Sequence, residues 1–412
     1  MSHIQNLIAD YLKHNNYPDT LKQFEIENRK PITSEKLAGE SLVDIVEDRI
    51  NFNAITKGTA HLKIGLTDEQ QQVLQSVIEH WKYPYPNKPQ ELVDLNGLVI
   101  SLNYYQGLIY ITTNDSKIYV IKDKQIIKEI KSSIVIKKII PIEDRVLLFG
   151  TNGIVYLKTL DFKDLSDIQA HKRLIVDGQY IRHGENEFVV TLGWDFYIRV
   201  FKLENDKIIQ LSELKLSQQG TCFDVTIYEE RLVIIVGKLE NTLLEVITLQ
   251  SNELKCLYKI SINDAEFTSS SFSPRFITIQ RSAVKPLIAV ATSHEPYMRI
   301  IIVPLKDLNS NSIKRQQIIK NINTLSPQDK FSQPIISWRK GTDKKVNGLW
   351  IMGDDGVIRG IDLIDDYTIE LKEGGHKSKI KEFITINKEN QENQEILITA
   401  DINRDIIQWV ID

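Results

Sequence analysis

The stretch EFVVTLGWDFYIRVF, Glu187–Phe201, reads as two strands around a tight turn. A run rich in β-branched and aromatic residues ends at a glycine, a polar turn follows, and a second apolar run begins. Counting from Asp195 in that turn, an aliphatic residue stands three positions on (Ile198) and a large apolar residue six positions on (Phe201). The same spacing recurs. It relates Asp115 to Ile118 and Ile121, Thr151 to Ile154 and Leu157, and Glu240 to Leu243 and Val246. It also relates Glu295 to Met298 and Ile301, Asp355 to Ile358 and Ile361, and Asn403 to Ile406 and Trp409. Each occurrence follows a strand-like run, such as LIYITTN or EILITAD, so the polar residue sits in the turn between two strands.

Successive turn positions lie 36, 44, 45, 55, 60 and 48 residues apart. A four-stranded propeller blade takes roughly 40–45 residues, so the pattern predicts a seven-bladed β-propeller over residues 90–412. The longest gaps hold polar insertions, notably 309–327. The last repeat ends after its third strand, and Glu91–Leu95 (ELVDL) is expected to supply the missing outer strand and close the ring.

Upstream the texture is helical, which makes the fold class mainly β with an N-terminal α-helical part. Ile4, Leu7, Ile8, Tyr11 and Leu12 form one helix stripe, with Ser2 and Gln5 as a capping box. Asn15-Asn16 suits a left-handed cap, and Pro18 opens a second helix carrying Leu21 and Phe24. Further helices are expected from Ser41 (Leu42, Ile45, Val46 and Ile50 inward) and after Thr67 (Val73, Leu74, Val77, Ile78 and Trp81 inward). The prolines of YPYPNKP make 83–89 a stiff linker, leaving 1–34 as a short helical module and 35–82 as accessory helices.

With 51 Lys+Arg against 55 Asp+Glu the net charge is −4, so no whole-protein field draws the chain to nucleic acid or an anionic membrane. Cys222 and Cys256 form no metal or disulfide framework, the N-terminus lacks a signal-peptide pattern, and no apolar run reaches membrane length. These features point to an intracellular chain, cytoplasmic or nuclear or both. No phosphate loop, nucleophile elbow, dinucleotide turn or HExxH helix occurs, and the eight histidines are scattered. No catalytic residue, metal or cofactor is therefore expected. The glycines of GTNG (150–153) and GDDG (353–356) fall in turns. Asp115, Asp195, Glu240, Glu295, Asp355 and Asn403 are expected to hold their turns by accepting backbone N–H groups. The basic segments IKRQQIIK (313–320) and WRKGTDKK (338–345) are expected to be solvated loops.

Two resemblances add to this reading. Leu7-Ile8, Tyr11-Leu12, Tyr17, Thr20-Leu21, Phe24 and Glu27 resemble the LisH (lissencephaly-homology) motif. That resemblance implies a helical homodimer with Leu7, Ile8, Tyr11, Leu12, Tyr17, Leu21 and Phe24 at the interface. The remainder is similar to the WD40 family. The repeat around Asp195 fits best, and Ala170-His171 and Gly375-His376 stand near that family's Gly-His position. Thr151 and Asn403 depart from its structural aspartate, so the His–Asp network is expected to be incomplete in most blades. LisH before a WD propeller looks like the lissencephaly dynein regulators, the transducin-β-like corepressors, and subunits of ubiquitin ligases and splicing complexes. The implied role is a non-catalytic scaffold that binds itself and other proteins. Repeat register places Trp194, Phe196, His294 and Arg404 on the binding face. The alternatives are nucleic-acid binding through the basic loops, or a small-molecule or enzymatic site in the propeller channel, where the sequence shows no converging titratable group.

Overall fold

The computed structural model describes residues 3–28, 42–43, 46, 66–263, 272–281, 285–309, 313–342, 345–387 and 395–412. The chain divides into two units, 1–68 and 69–412. In the first, helices α1 (His3–His14) and α2 (Pro18–Asn28) pack together. Asn16 takes the left-handed conformation (φ 64°), while Tyr11 and Leu12 accept the amides of Asn15 and Tyr17 at 3.0 and 2.9 Å. A polar side chain tolerates that conformation, so α1 stops there and Pro18 restarts the chain as helix. Gln5 Nε2 donates to Asn28 Oδ1 at 2.7 Å and ties the far ends of the pair. Among the described residues of the two helices Ala9 alone is buried; α2 contributes no buried side chain. Of the helix expected from Ser41, Leu42, Val43 and Val46 are helical, while Ser41, Ile45 and Ile50 lie outside the described residues, as does the Ser2 cap.

Helix α3 (Asp68–Val77), all but its first residue in the second unit, buries Val73 and Val77. The helix ends sooner than the apolar spacing suggests. Ile78 forms a parallel bridge with Val346, and the Glu79 amide donates to Val346 O at 2.9 Å. The Trp81 amide donates to Asp362 Oδ2 at 2.6 Å. Backbone donors that would continue the helix are taken by a blade of the propeller, so Ile78 and Trp81 are buried on extended chain rather than on a helix face.

Seven sheets follow, each with four antiparallel strands; four are drawn wholly from consecutive strands, two share the segment 313–327, and one is completed by the chain upstream. Numbered along the chain, blade 1 spans 99–131, blade 2 136–169, blade 3 175–215, blade 4 220–261, blade 5 274–327 and blade 6 336–371. Blade 7 joins 380–410 to the outer strand Lys88–Glu91, with Lys88 opposite Val410 and Glu91 opposite Ile407. Closure was expected from Glu91–Leu95. The strand instead ends at Glu91, because Leu92 and Leu95 are core residues between blades 7 and 1, not rim residues. Pro89 is acceptable on an outer edge, where an N–H is not needed for a further strand. The insertion 309–327 is also more structured than its composition suggests. Ile313–Lys314 add a fifth, parallel strand to blade 4, and Lys320–Pro327 are the outer strand of blade 5.

The repeat has a physical basis. All seven residues at the sixth position after the turn (Ile121, Leu157, Phe201, Val246, Ile301, Ile361, Trp409) have no exposed surface. Central strands such as RVLLFG, LIAVAT and VNGLWIM are buried on both faces, because every blade is sandwiched between two others. The apolar clusters accordingly span neighbouring blades, for example Val190 and Val200 of blade 3 with Phe223 and Ile234 of blade 4. No helix among the described residues is long and apolar enough to cross a membrane.

Candidate functional site

In each blade the innermost strand starts beside the end of the second, as Ile380 opposite Asp401 shows. The turns between second and third strands therefore emerge on the same face as the connections that enter each blade. This face carries the residues that repeat register singled out, and the turn in blade 3 shows how they are held. Asp195 Oδ1 lies 2.7 Å from His171 Nδ1 and accepts the Tyr197 amide at 3.3 Å; Oδ2 accepts from Arg199 Nη1 at 2.9 Å. His171 Nε2 lies 2.8 Å from Thr191 Oγ1. Burial holds the His171 imidazole below its usual range despite Asp195, so the ring is neutral; Nε2 meets Thr191, while Nδ1 faces Arg199 Nη1 at 2.7 Å as well as Asp195. Gly193 permits this approach, since a Cβ there would lie 2.1 Å from His171 Nδ1. With the turn fixed, Phe196 (φ 69°) and Trp194 project outward, Trp194 with 52% of its surface exposed.

Blade 7 repeats this network with a displaced acid. His376 Nε2 lies 2.7 Å from Thr399 Oγ1, which also accepts from Trp409 Nε1 at 3.0 Å. His376 Nδ1 stands 3.1 Å from Asp401 Oδ2, and Asp401 Oδ1 accepts the amides of Asn403 and Asp405 at 2.9 and 3.0 Å. Asp401, not Asn403, holds this turn. A carboxylate two residues upstream reaches the same donors, and it is wholly buried.

The remaining turn positions divide. Asp115 accepts from Thr113 Oγ1 at 2.5 Å, and Asp355 accepts the Val357 amide at 3.2 Å and Arg359 Nη2 at 2.6 Å. Glu240 and Glu295 do not hold their turns through their carboxylates. Asn241 Oδ1 accepts the Leu243 amide at 2.9 Å beside Glu240, whose own amide donates to Ser273 Oγ at 2.7 Å. Near Glu295, Gln328 Nε2 donates to the carbonyls of Thr292, at 2.7 Å, and His294. A side-chain amide from the next connection does the work expected of the acid.

His294 is only half exposed. It packs on Phe272 with ring centroids 4.5 Å apart and lies 2.7 Å from Thr292 Oγ1, so it is a packing residue rather than a presented one. Arg404 Nη1 donates to Asn96 O at 2.8 Å, which ties it to the closing seam. Sequence register missed Leu239, Tyr297, Phe331 and Ile402, which are exposed on the same face, Phe331 at 74%. Phe331 lies in a connection that no repeat spacing marks.

The basic segments are not free loops. Ile318 and Ile319 are buried, and Lys320 Nζ pairs with Asp366 at 2.7 Å. In the second segment Arg339 is buried, and Trp338 Nε1 donates to Thr278 O at 3.1 Å. Arg339 Nε donates to Glu395 Oε2 at 2.7 Å, and its other nitrogens donate to the carbonyls of Lys82 and Pro84 at 2.8 and 3.1 Å. Trp350 Nε1 donates to Glu395 Oε1 at 2.7 Å, and the Arg339 guanidinium lies 4.4 Å over Trp81. This clip fastens the chain ahead of the first blade to blades 6 and 7.

His80, Asp362 and Asp365 come together at metal-ligand separation. Asp362 is already spent on the amides of Trp81, Ile364 and Asp365, at 2.6, 2.7 and 3.0 Å, so the group serves as a further clip. A second pair that sequence reading missed joins the innermost strands of blades 2 and 3, where Lys138 Nζ lies 2.7 Å from Asp177 Oδ1.

Comparisons with known proteins agree with this architecture. Residues 2–36 match the model described as "UCP007778, LisH domain", and residues 63–410 match "UCP007778, beta-propeller domain". A Saccharomyces cerevisiae protein, the uncharacterized protein YGR117C, is 25% identical over 417 residues, which is 87% of each chain. In fold the chain is similar to the computationally designed Ika8 protein, with a TM-score of 0.52 at 15% identity, over 78% of this chain and 100% of that one. With its propeller domain matched from residue 63 to residue 410 and its LisH domain ahead of it, the chain belongs to the UCP007778 family.

Proposed function

We propose that this protein is a non-catalytic, intracellular adaptor that dimerises through its LisH helices and binds other proteins on the inner-turn face of its propeller. One observation carries the reading: six large apolar side chains, Trp194, Phe196, Leu239, Tyr297, Phe331 and Ile402, stand exposed on that face. Isolated exposed apolar residues are ordinary, but aromatic anchors gathered on one rigid face are the usual centre of a protein interface. The LisH stripe supports self-association, because Leu7, Ile8, Tyr11, Leu12, Leu21 and Phe24 are only half-buried and Tyr17 is exposed. Two short helices cannot bury such a stripe alone, and a second copy would cover it with two-fold symmetry. Joining two propellers raises the apparent affinity for a partner with repeated sites. Neither cysteine is in a disulfide, which suits a reducing compartment. The nucleic-acid reading is weakened, since Lys320 and Arg339 of the basic segments are committed to ion pairs with Asp366 and Glu395.

Light scattering and affinity purification test the two parts separately. Wild type should run at about 95 kDa, twice the 47.5 kDa chain mass, and Leu12→Asp with Phe24→Asp at the single-chain mass. Trp194→Ser with Phe331→Ser should remain a folded dimer and lose co-purifying proteins. A monomeric wild type refutes the LisH interface; an unchanged partner set refutes the propeller face.

A further inference from the structure

The innermost strand of blade 5 carries a bulge: Pro274 pairs with Thr292 and Phe276 with Ala291, which leaves Arg275 outside the ladder. A bulge re-aims the side chain it frees. Arg275 Nη1 donates to the carbonyls of Asp329 and Ser332 at 2.6 and 2.9 Å, and Nη2 donates to that of Lys330 at 2.8 Å. One guanidinium thus grips loop 329–332, the connection from blade 5 into blade 6. The loop is closed from within as well. Asp329 Oδ1 accepts the Phe331 amide at 2.7 Å, the Asp329 amide donates to Ser332 Oγ at 2.8 Å, and the Ser332 amide donates to Asp329 O at 3.1 Å. Ser332 Oγ also lies against Asp354 Oδ2, which accepts from Lys379 Nζ at 2.6 Å. Side chains from blade 5, blade 6 and the entry to blade 7 converge on one short turn.

What the turn holds out is Phe331, the most exposed of the large apolar side chains on this face. Two exposed neighbours stand at its root. Tyr297 lies opposite Pro327 in the sheet, and the next amide, that of Gln328, donates to Pro296 O at 2.9 Å. Leu325, two residues before Pro327, is 61% exposed and takes the left-handed conformation (φ 54°), which such side chains rarely adopt. Asn323 Oδ1 accepts the Leu325 amide at 3.2 Å, and Thr324 Oγ1 donates to Met298 O at 2.8 Å, so both flanking residues are fixed. Strain of this kind persists only where the surroundings impose it, and it gathers at binding sites. Charge around the clamp balances. The carboxylates of Glu295, Asp329 and Asp354 lie near Arg275, and against them stand Arg275 itself, Lys379 and Lys330, whose Nζ is 5.0 Å from the Phe331 ring centroid. A neutral tip ending in an aromatic ring suits an apolar pocket. A phosphate backbone or an anionic bilayer rewards net positive charge instead.

We infer that Arg275 is a positioning residue for protein recognition: it fixes loop 329–332 so that the Phe331 ring inserts into an apolar pocket of a partner protein, with Tyr297 and Leu325 flanking the contact. The inference rests on the adaptor reading and names the part of the face that anchors. The loop is ordered when the propeller folds, so its ordering does not weaken the later association. Lysine is no substitute for the arginine, because a single ammonium lacks the planar fork that reaches several carbonyls at once. Binding through a neutral tip is insensitive to salt.

Trypsin gives a readout that needs no partner, because the peptide bond after Lys330 lies at the tip. In the full-length protein the new N-terminus at Phe331, followed by mass spectrometry, should appear about tenfold faster in Arg275→Gln and Arg275→Lys than in wild type. The rest of the propeller should keep its wild-type cleavage pattern. For the partner, p-benzoylphenylalanine in place of Phe331 is irradiated in cell lysate and the cross-linked residues are mapped. They should be apolar residues of a protein, reached equally at about 0.1 M and about 1 M salt, and Arg275→Gln should cut the yield roughly tenfold. Unchanged cleavage in both Arg275 variants, an unchanged cross-link yield, or cross-links to nucleic acid or lipid overturn the assignment. If Arg275→Gln does not fold, Asp329→Ala, which frees the Phe331 amide, is read in the same two assays with the same outcomes expected. Partners that survive Trp194→Ser with Phe331→Ser refute the adaptor reading as a whole. Partners lost there but kept in Arg275→Gln refute this inference alone.

Discussion

Replacing Arg339 with Met tests the clip that fastens Lys82–Pro84 to blades 6 and 7. The substitution keeps the volume and the contact with Trp81, and it removes the bonds to Glu395 Oε2, Lys82 O and Pro84 O. Trp350 Nε1 still donates to Glu395 Oε1, so one carboxylate oxygen stays satisfied and the other is left buried. Removing one partner of a buried ion pair costs about 3–5 kcal/mol, most of it the charge left behind. The expected loss is therefore at the lower part of that range, about 3 kcal/mol. Adding Glu395→Gln removes the stranded charge, so the double variant should be more stable than Arg339→Met alone, with a coupling energy of roughly 2 kcal/mol. Urea unfolding followed by tryptophan fluorescence reads this locally, because the Trp81 and Trp350 rings lie 4.8 Å apart beside the pair. Proteolysis gives a second readout, with cleavage near Tyr83 accelerated in the single variant. A cost below about 1 kcal/mol, or additive behaviour in the double variant, would show that the pair is not the fastening.

Phe201→Ala should cost about 3–5 kcal/mol, because Phe201 has no exposed surface and is wedged between blades 2 and 3; an equilibrium unfolding measurement checks this. Glu382 gives stability a pH dependence whose sign follows from proton binding. The folded carboxyl holds its proton up to about 7 against an ordinary 4.5, so the folded state binds more protons in that window and stability falls as pH rises through it. The loss reaches about 3 kcal/mol at most, and Glu382→Gln should flatten the slope of melting temperature between about pH 5 and pH 7.5.

The propeller was legible because its core repeats in sequence: a residue six positions past each turn meets the neighbouring blade, and burial leaves it no polar option. The turn chemistry was less so. Several side chains can reach the same turn groups, so Asp401, Asn241 and Gln328 replace the residues that spacing nominates, Asn403, Glu240 and Glu295. Lys88 and Pro89 read as linker because an outer edge strand requires neither apolar residues nor freedom from proline. Trp81 read as helical because an apolar period does not reveal that a distant carboxylate, Asp362, will take its amide. The pairing of Lys138 with Asp177 was hidden, because the two come from different blades and nothing local marks them. The LisH helices were plain because a short amphipathic pair is encoded within its own residues.

The seam in blade 7 bears on how the chain is made. Lys88 emerges from the ribosome 322 residues before its partner Val410. At synthesis rates of about 5–20 residues per second, that is a wait of roughly 16–65 s. Throughout it the six earlier blades have no ring to close, and blades 1 and 6 keep an uncovered apolar flank. A chaperone that shields those flanks during translation would therefore govern yield more than the final stability does. A message truncated just before Ile406 would release a nearly full-length chain whose outer strand has nothing to pair with.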